Sequence, residues 1–254
     1  FKTYDEKSDK IWIVEYNNEI IGFSCIMVND YKEAELRWFI LHPNYRAKEL
    51  EKLLQDDLAW RKKEMISLRI LILKDTINEA ILLRSSMALL CAHFEGFIKY
   101  AANKYVSYVS DQRIPNKLLK NNFVVFKLKE ALKQCKNTDK NSVHQRLILK
   151  YEKLSDSNFE VKSDVISTHS NPSSEEIKEL LCSVGIETDI FDLKKQYIDT
   201  ELLSNRHKVV HGERYGIKKE DFQTTFDIIM DLLDDFNRVI ICAADTKKYM
   251  KGST

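Results

Sequence analysis

The stretch from about 78 to 110, which contains Glu79-Ala-Ile-Leu-Leu-Arg-Ser-Ser-Met-Ala-Leu-Leu-Cys-Ala-His-Phe-Glu-Gly-Phe-Ile-Lys, constrains the fold more than any other. Its apolar residues fall at helical spacing on more than one side. An ordinary surface helix is apolar on one stripe only, so a helix of this kind needs neighbours around most of its circumference and belongs at the centre of a bundle. Arg84, His93, Glu95 and Lys99 interrupt it. Glu95 and Lys99 form an i,i+4 pair with the acid first, the favourable order. Gly96 inside a helix costs about 1 kcal/mol relative to Ala, so it is expected where another element comes close. For Glu95 the expectation is a paired carboxylate that orients a neighbouring helix, the other reading being a residue that faces a cleft.

The rest of the chain supplies the neighbours. From Leu50 onward, Leu50, Leu53, Leu54, Leu58, Met65, Leu68, Ile72 and Leu73 fall near helical spacing. Shorter helices are expected at 123–135 and 143–154. Ser173 or Ser174 is a natural N-cap with Glu175 and Glu176 in the first turn, and Gly185 ends that helix. Another helix starts near Leu193, and a last one spans 218–249 on Phe222, Phe226, Ile229, Leu232, Leu233, Phe236, Val239, Ile240 and Ala243. Six Gly and three Pro in 254 residues favour such long helices over a turn-rich β fold. The first sixty residues differ. Strands are expected at 11–15, 20–28 and 35–41, with an Asn17-Asn18 turn between the first two and a helix from about Ala47. The fold class is therefore mainly α, a helical bundle with a small N-terminal β-β-β-α module. The division is placed at 1–57 and 58–254.

Composition narrows the function classes. The formal net charge is +1, so any nucleic-acid contact must come from a local patch. Cys25, Cys91, Cys135, Cys182 and Cys242 are scattered without C-x-x-C spacing, as expected of reduced thiols in the cytoplasm. No signal-peptide pattern and no apolar run long enough to span a bilayer is evident, so no membrane is expected. The chain begins at Phe1, as a fragment would.

The chemistry concentrates in Leu202-Leu203-Ser204-Asn205-Arg206-His207-Lys208-Val209-Val210-His211-Gly212-Glu213. Leu202, Leu203, Val209 and Val210 set a buried helical stripe, with Tyr197 upstream, and Gly212 supplies a left-handed stop. His211 then sits at the helix C-terminus, where free carbonyls attract a cationic imidazole. His207, one turn earlier, shares its face. A permanent cation beside histidines suits a phosphate-centred reaction: imidazole moves protons, and guanidinium holds charge developing on phosphoryl oxygens. Two histidines at i,i+4 also occur in zinc helices, but no H-E-x-x-H glutamate or third ligand lies nearby. His169 reads as a surface residue. A plain helix-capping role for His211 and a surface ion pair for Arg206 remain the structural alternatives.

Arg206-His207-Lys208-Val209-Val210-His211-Gly212 resembles the signature of HEPN ribonucleases: an arginine, a polar residue, a few mostly apolar residues, then histidine and usually glycine. The segment "LLRSSMALLCAHFEGFIK" resembles the early helix of one HEPN branch, and the connection before the motif helix resembles the insertion of that branch. The resemblance implies a metal-independent endoribonuclease with no cofactor. Arg206, His211 and His207 would be its catalytic residues, and Lys208, Asn205, Arg214 and Glu95 would contact substrate. Lys194 and Lys195 are further candidates for phosphate. It also implies an RNA substrate, a homodimer joined through the motif face, and a partner in a toxin–antitoxin or phage-defence setting. A non-catalytic binding or assembly module of the same family is the alternative.

In the central part of GNAT acetyltransferases, the paired strands are similar to "VEYNNEIIGFSCI" and the strand and loop leading to the acyl-CoA site to "AELRWFILHPNYR". That family holds pyrophosphate on an R-x-x-G-x-G/A loop at a helix N-terminus. Here the corresponding run is Arg46-Ala47-Lys48-Glu49-Leu50-Glu51, with glutamates where the glycines belong. They add bulk and negative charge where an anionic ligand must approach. The expectation is a degenerate module used for packing or assembly, with acetyl transfer the lesser alternative.

Overall fold

The computed structural model describes residues 10–16, 19–28, 34–41, 48–74, 77–161, 164–166 and 173–253. It divides into two compact units, Phe1–Ala47 and Lys48–Thr254. The division falls ahead of the 57/58 boundary expected from the sequence, because the helix that begins at Lys48 runs unbroken to Lys74.

In the first unit, β1 (Lys10–Tyr16), β2 (Glu19–Val28) and β3 (Ala34–Leu41) form an antiparallel sheet in the order β1-β2-β3. Ile13 pairs with Phe23 and Phe23 with Ile40, so apolar residues line up across all three strands. The register shifts once in each ladder, at Val14/Glu15 and at Cys25/Ile26. The Asn17-Asn18 turn and the loop through Arg46 and Ala47 lie outside the described residues, as does His169.

The second unit is helical. Its elements are α1 (Lys48–Lys74), α2 (Glu79–Asp111), α3 (Asn121–Lys136), α4 (Asn141–Ser155), α5 (Ser174–Ser183), α6 (Lys195–Tyr197), α7 (Leu203–Val210) and α8 (Lys219–Asp245). As its all-round apolar pattern requires, α2 is the central helix, packed by α1, α5, α7 and α8. Leu83, Met87, Leu90, Phe94, Phe97, Ile98, Ala101, Tyr105 and Val109 bury different sides of it. Against it α8 sets Phe222, Phe226, Ile229, Leu232, Leu233, Phe236 and Ile240, with the Phe97 and Phe236 rings edge to face at 6.4 Å. The expectation that no apolar run could span a bilayer is corrected by length and composition alone: among the described residues α2 is long and apolar enough, and half of its most apolar stretch is buried inside the bundle.

Gly96 answers the close approach its position calls for. A Cβ there would come within 2.7 Å of Arg61 Nη1 on α1. Asp57 holds that guanidinium at 2.6 Å, and Arg61 Nη1 donates to the His93 carbonyl. On α1 two expected core positions are corrected: Leu53 and Leu73 are exposed, since the stripe Leu50, Leu54, Leu58, Met65 and Ile72 already fills the contact with α2 and α8. The α5 cap resolves to Ser173. Its hydroxyl accepts the Glu176 N–H and the Glu176 carboxylate accepts the Ser173 N–H, a reciprocal capping box. Gly185, at φ +74°, ends the helix as expected.

Candidate active site at the end of the motif helix

The motif helix is short and polar, and it is aligned by specific polar contacts. A continuous helical run passes from the 3-10 turn Asp192–Lys194 through α6 into one π turn, Ile198–Leu202, and then into α7. The π turn is the irregular element, of a kind often found beside functional sites. Asp199, inside it, accepts the backbone N–H of Ser174 at 2.7 Å and the Ser174 hydroxyl, which ties the turn to the start of α5. Tyr197 Oη lies 2.6 Å from Thr225 Oγ1 on α8, and Lys194 pairs with Asp235 of α8 at 3.2 Å. On the α2 side the Cys91 thiol donates to the Leu202 carbonyl at 3.8 Å, and Arg206 Nη2 lies 3.9 Å from Glu95 Oε2. The four-residue step from Cys91 to Glu95 matches the step from Leu202 to Arg206, so the two helices contact in register over one turn.

Burial pushes the Cys91 thiol up to about 12, against the lowering influence of the Arg206 charge. Cys91 is therefore a neutral packing group with a weak donor, and not a nucleophile. The helix ends in a Schellman motif. Gly212, at φ +73°, donates to the Val209 carbonyl at 3.2 Å, and Glu213 donates to Lys208 at 2.9 Å. His211 is the last residue before this stop and its own N–H reaches the His207 carbonyl at 3.0 Å.

At this end the two histidines stand exposed with their ring centroids 4.2 Å apart and planes inclined by 48°. Arg206 leaves the helix on another side. At about 100° per residue Arg206 and His211 project roughly 140° apart, whereas His207 and His211 are only about 40° apart. The chain thus brings together two pairs: Arg206 with Glu95, each half-buried, and His207 with His211 in solvent.

The remaining candidates sort by environment. Glu95 takes the pairing role expected of it and keeps a partly exposed carboxylate. Lys208 Nζ sits 4.2 Å over the Tyr215 ring, a cation–π contact that ties it to the loop after Gly212. Arg214 is exposed on that loop, and Lys195 is exposed on α6. Asn205, expected to contact substrate, is only 5 % exposed and faces the bundle. Val210 is corrected in the opposite sense. It is 60 % exposed, because Leu202 and Asn205 take the inward face of the helix. Among the described residues no cluster of three or more His, Cys, Asp or Glu could hold a metal ion.

Two positioning residues escaped the sequence reading. Asp199 acts through Ser174, 25 positions away, and no local pattern marks such a pair. Arg84 donates to the Tyr215 carbonyl at 3.3 Å and so steadies the loop that follows the motif. It was visible only as a charge interrupting an apolar helix.

The family model described as RiboL-PSP-HEPN matches residues 56–241, nearly three quarters of the chain. The chain belongs to that HEPN family. Its domains are generally ribonucleases or RNA-binding modules. Residues 1–65 match the model of the acetyltransferase (GNAT) family, so the head of the chain is similar to part of that fold. No curated protein and no solved structure gives a match.

Proposed function

We propose that this HEPN protein is an endoribonuclease that cuts RNA through its own 2′-hydroxyl, without a metal ion. The 2′-oxygen attacks the adjacent phosphorus as an imidazole of the His207–His211 pair takes its proton. The P–O5′ bond breaks, and the departing 5′-oxygen collects a proton from the second imidazole. The products are a 2′,3′-cyclic phosphate and a 5′-hydroxyl. Arg206 stabilises the charge that builds on the non-bridging oxygens, from a guanidinium already aimed by Glu95. The observation that carries this reading is the closely spaced, solvent-facing pair His207 and His211 at a Schellman stop, one residue and five residues from Arg206.

One helix splays Arg206 and His211 to different sides, so the reading includes a two-fold homodimer in which one copy's arginine faces the other copy's histidines across a shared cleft. Arg214 and Lys208 with Tyr215 then bind flanking phosphates. The N-terminal segment is read as a partial GNAT-like module serving assembly. Glu49 and Glu51 occupy the first turn of α1, where they suit the helix dipole and repel an anionic ligand. The setting that fits is a cytoplasmic toxin–antitoxin or phage-defence system.

The test is cleavage of a labelled RNA and of the same sequence in DNA, with and without EDTA. RNA-only cleavage that persists in EDTA and leaves cyclic phosphate ends is expected. DNA cleavage, or ends with a 3′-hydroxyl, contradicts the mechanism. Mixing Arg206→Ala with His211→Ala protein tests the shared cleft: mixed dimers should regain activity that neither variant has alone.

A further inference from the structure

The chain's near-neutral charge conceals an asymmetry. Residues 121–155 hold eight Lys and Arg against three Asp and Glu, a net +5, which leaves the remainder at −4. That segment is the α3–α4 hairpin. It is rooted at the C-terminal end of α2, where Tyr105 meets Phe123 and Leu119 bridges to Met250, while α4 has no buried residue at all.

The cations are ordered. Lys129, Lys133 and Lys136 on α3 and Arg146, Lys150 and Lys153 on α4 repeat at i, i+4, i+7, all exposed. Each helix therefore carries a row of positive charge with steps of about 5–6 Å, close to the separation of successive phosphates along a strand. Like charges one turn apart destabilise an isolated helix. None of the six has an ion-pair partner among the described residues, and Arg146 Nε donates to the Ser142 carbonyl. The acidic helix α8 is the contrast. Its Asp227, Asp231, Asp234 and Asp235 are met by Arg69, Lys194, Lys62 and Arg238. The α4 row lines an open cleft of about 520 Å³ whose α3 wall includes Ala131, Gln134 and Glu130. Tyr151, 45 % exposed on another face of α4, offers a ring on which a base can stack.

We infer that the α3–α4 hairpin is an RNA-binding arm: the α4 row of unpaired cations holds the backbone of a single strand along the cleft, remote from the motif helix, and the α3 row adds positive charge on another face of the same arm. The inference rests on the ribonuclease reading for its choice of polyanion. The evenly stepped rows favour a polymer with a charge on every unit over an acidic peptide, whose charges have no fixed step. The end of α2 lies about 24 Å along that helix from Glu95 at 1.5 Å per residue, so only a strand several nucleotides long reaches both places. The arm would thus set a preference for longer RNA.

The test uses the full chain with Lys133, Arg146, Lys150 and Lys153 changed to Gln, a good helix former, and a second variant with the same four changed to Ala. Binding of fluorescein-labelled single-stranded RNA of about 20 nucleotides is followed by anisotropy across a salt series. Both variants should bind at least tenfold more weakly, with a log K against log salt slope shallower by about 3, at roughly 0.7 per lost phosphate contact. Cleavage of a trinucleotide should stay unchanged while cleavage of the long RNA slows. Unchanged affinity and slope overturn the arm and leave the nuclease reading intact. Hairpin-dependent binding with no cleavage of any RNA keeps the arm and overturns the nuclease. Vesicles containing phosphatidylserine, or a polyglutamate peptide, bound as tightly as RNA and with the same dependence on the four residues would overturn the assignment to RNA.

Discussion

The last helix, α8, and the motif helix, α7, pack against the same neighbour, α2, yet they are held differently. Over 27 residues α8 buries a continuous apolar stripe, and cations from α1, from Lys194 and from its own Arg238 neutralise its acidic side. Only eight residues long, α7 contributes a single fully buried side chain, Asn205, and takes its orientation from Asp199–Ser174, Tyr197–Thr225 and Arg206–Glu95 around it. Burial holds an element firmly without specifying its rotation to better than a stripe. A few directional bonds hold less firmly but set the angle at which side chains leave the helix. The second arrangement is what a site needs that must present histidines to solvent and aim an arginine at the same time.

The comparison can be broken first at α8. Phe236→Ala, fully buried against Phe97 and Phe191, should cost about 3–5 kcal/mol in chemical denaturation. Its activity per folded molecule should be unchanged. A smaller loss of stability with a large loss of activity would mean that α8 also sets the site. Next comes the pin of the motif helix. Asp199→Ala removes a charged acceptor of two hydrogen bonds and should cost about 1.5–3 kcal/mol. Here RNA cleavage should fall further than the folded fraction does, because the π turn is released from α5. Proportional losses would make Asp199 merely structural. Gly212→Ala meets open space but forces a left-handed residue, at a cost of about 1–2 kcal/mol. It should disturb His211 directly, read as cleavage that slows further than this loss of stability accounts for.

The smallest effect concerns His93, buried between α1 and α2, its Nε2 3.1 Å from Glu64. Burial lowers its pKa, partly opposed by Glu64. The unfolded chain then binds the proton more readily, so stability should rise with pH and be lost as pH falls below about 6.5 through the folded value. A denaturation series from pH 8 to pH 5 should show this slope, and His93→Gln should flatten it.

Much of the helical unit was legible in the sequence because periodicity reports burial. The all-round apolar α2, the stripe on α8, the Ser173 capping signal and the stop at Gly185 each follow from a local rule. The motif helix was legible in its ends and chemistry but not in its rotation. Val210 looked like core and is exposed, and Asn205 looked available and is buried, since a short run with the two apolar pairs Leu202-Leu203 and Val209-Val210 does not settle which face turns inward. The π turn decides it by shifting the phase of the helix just before the motif, and Asp199 holds that turn through a residue 25 positions away. The basic hairpin was hidden by a net charge that sums to +1.

The central claim is that phosphoryl chemistry resides at the C-terminal end of α7. Its most direct measurement is single-turnover cleavage of one labelled RNA by the wild-type chain, Arg206→Ala and His211→Ala, each first shown to unfold with the wild-type transition. Losses of about 10²–10⁴-fold in both variants are expected for a transition-state cation and a proton-transfer group. Wild-type rates in either variant would contradict the account and leave the helix end a structural cap.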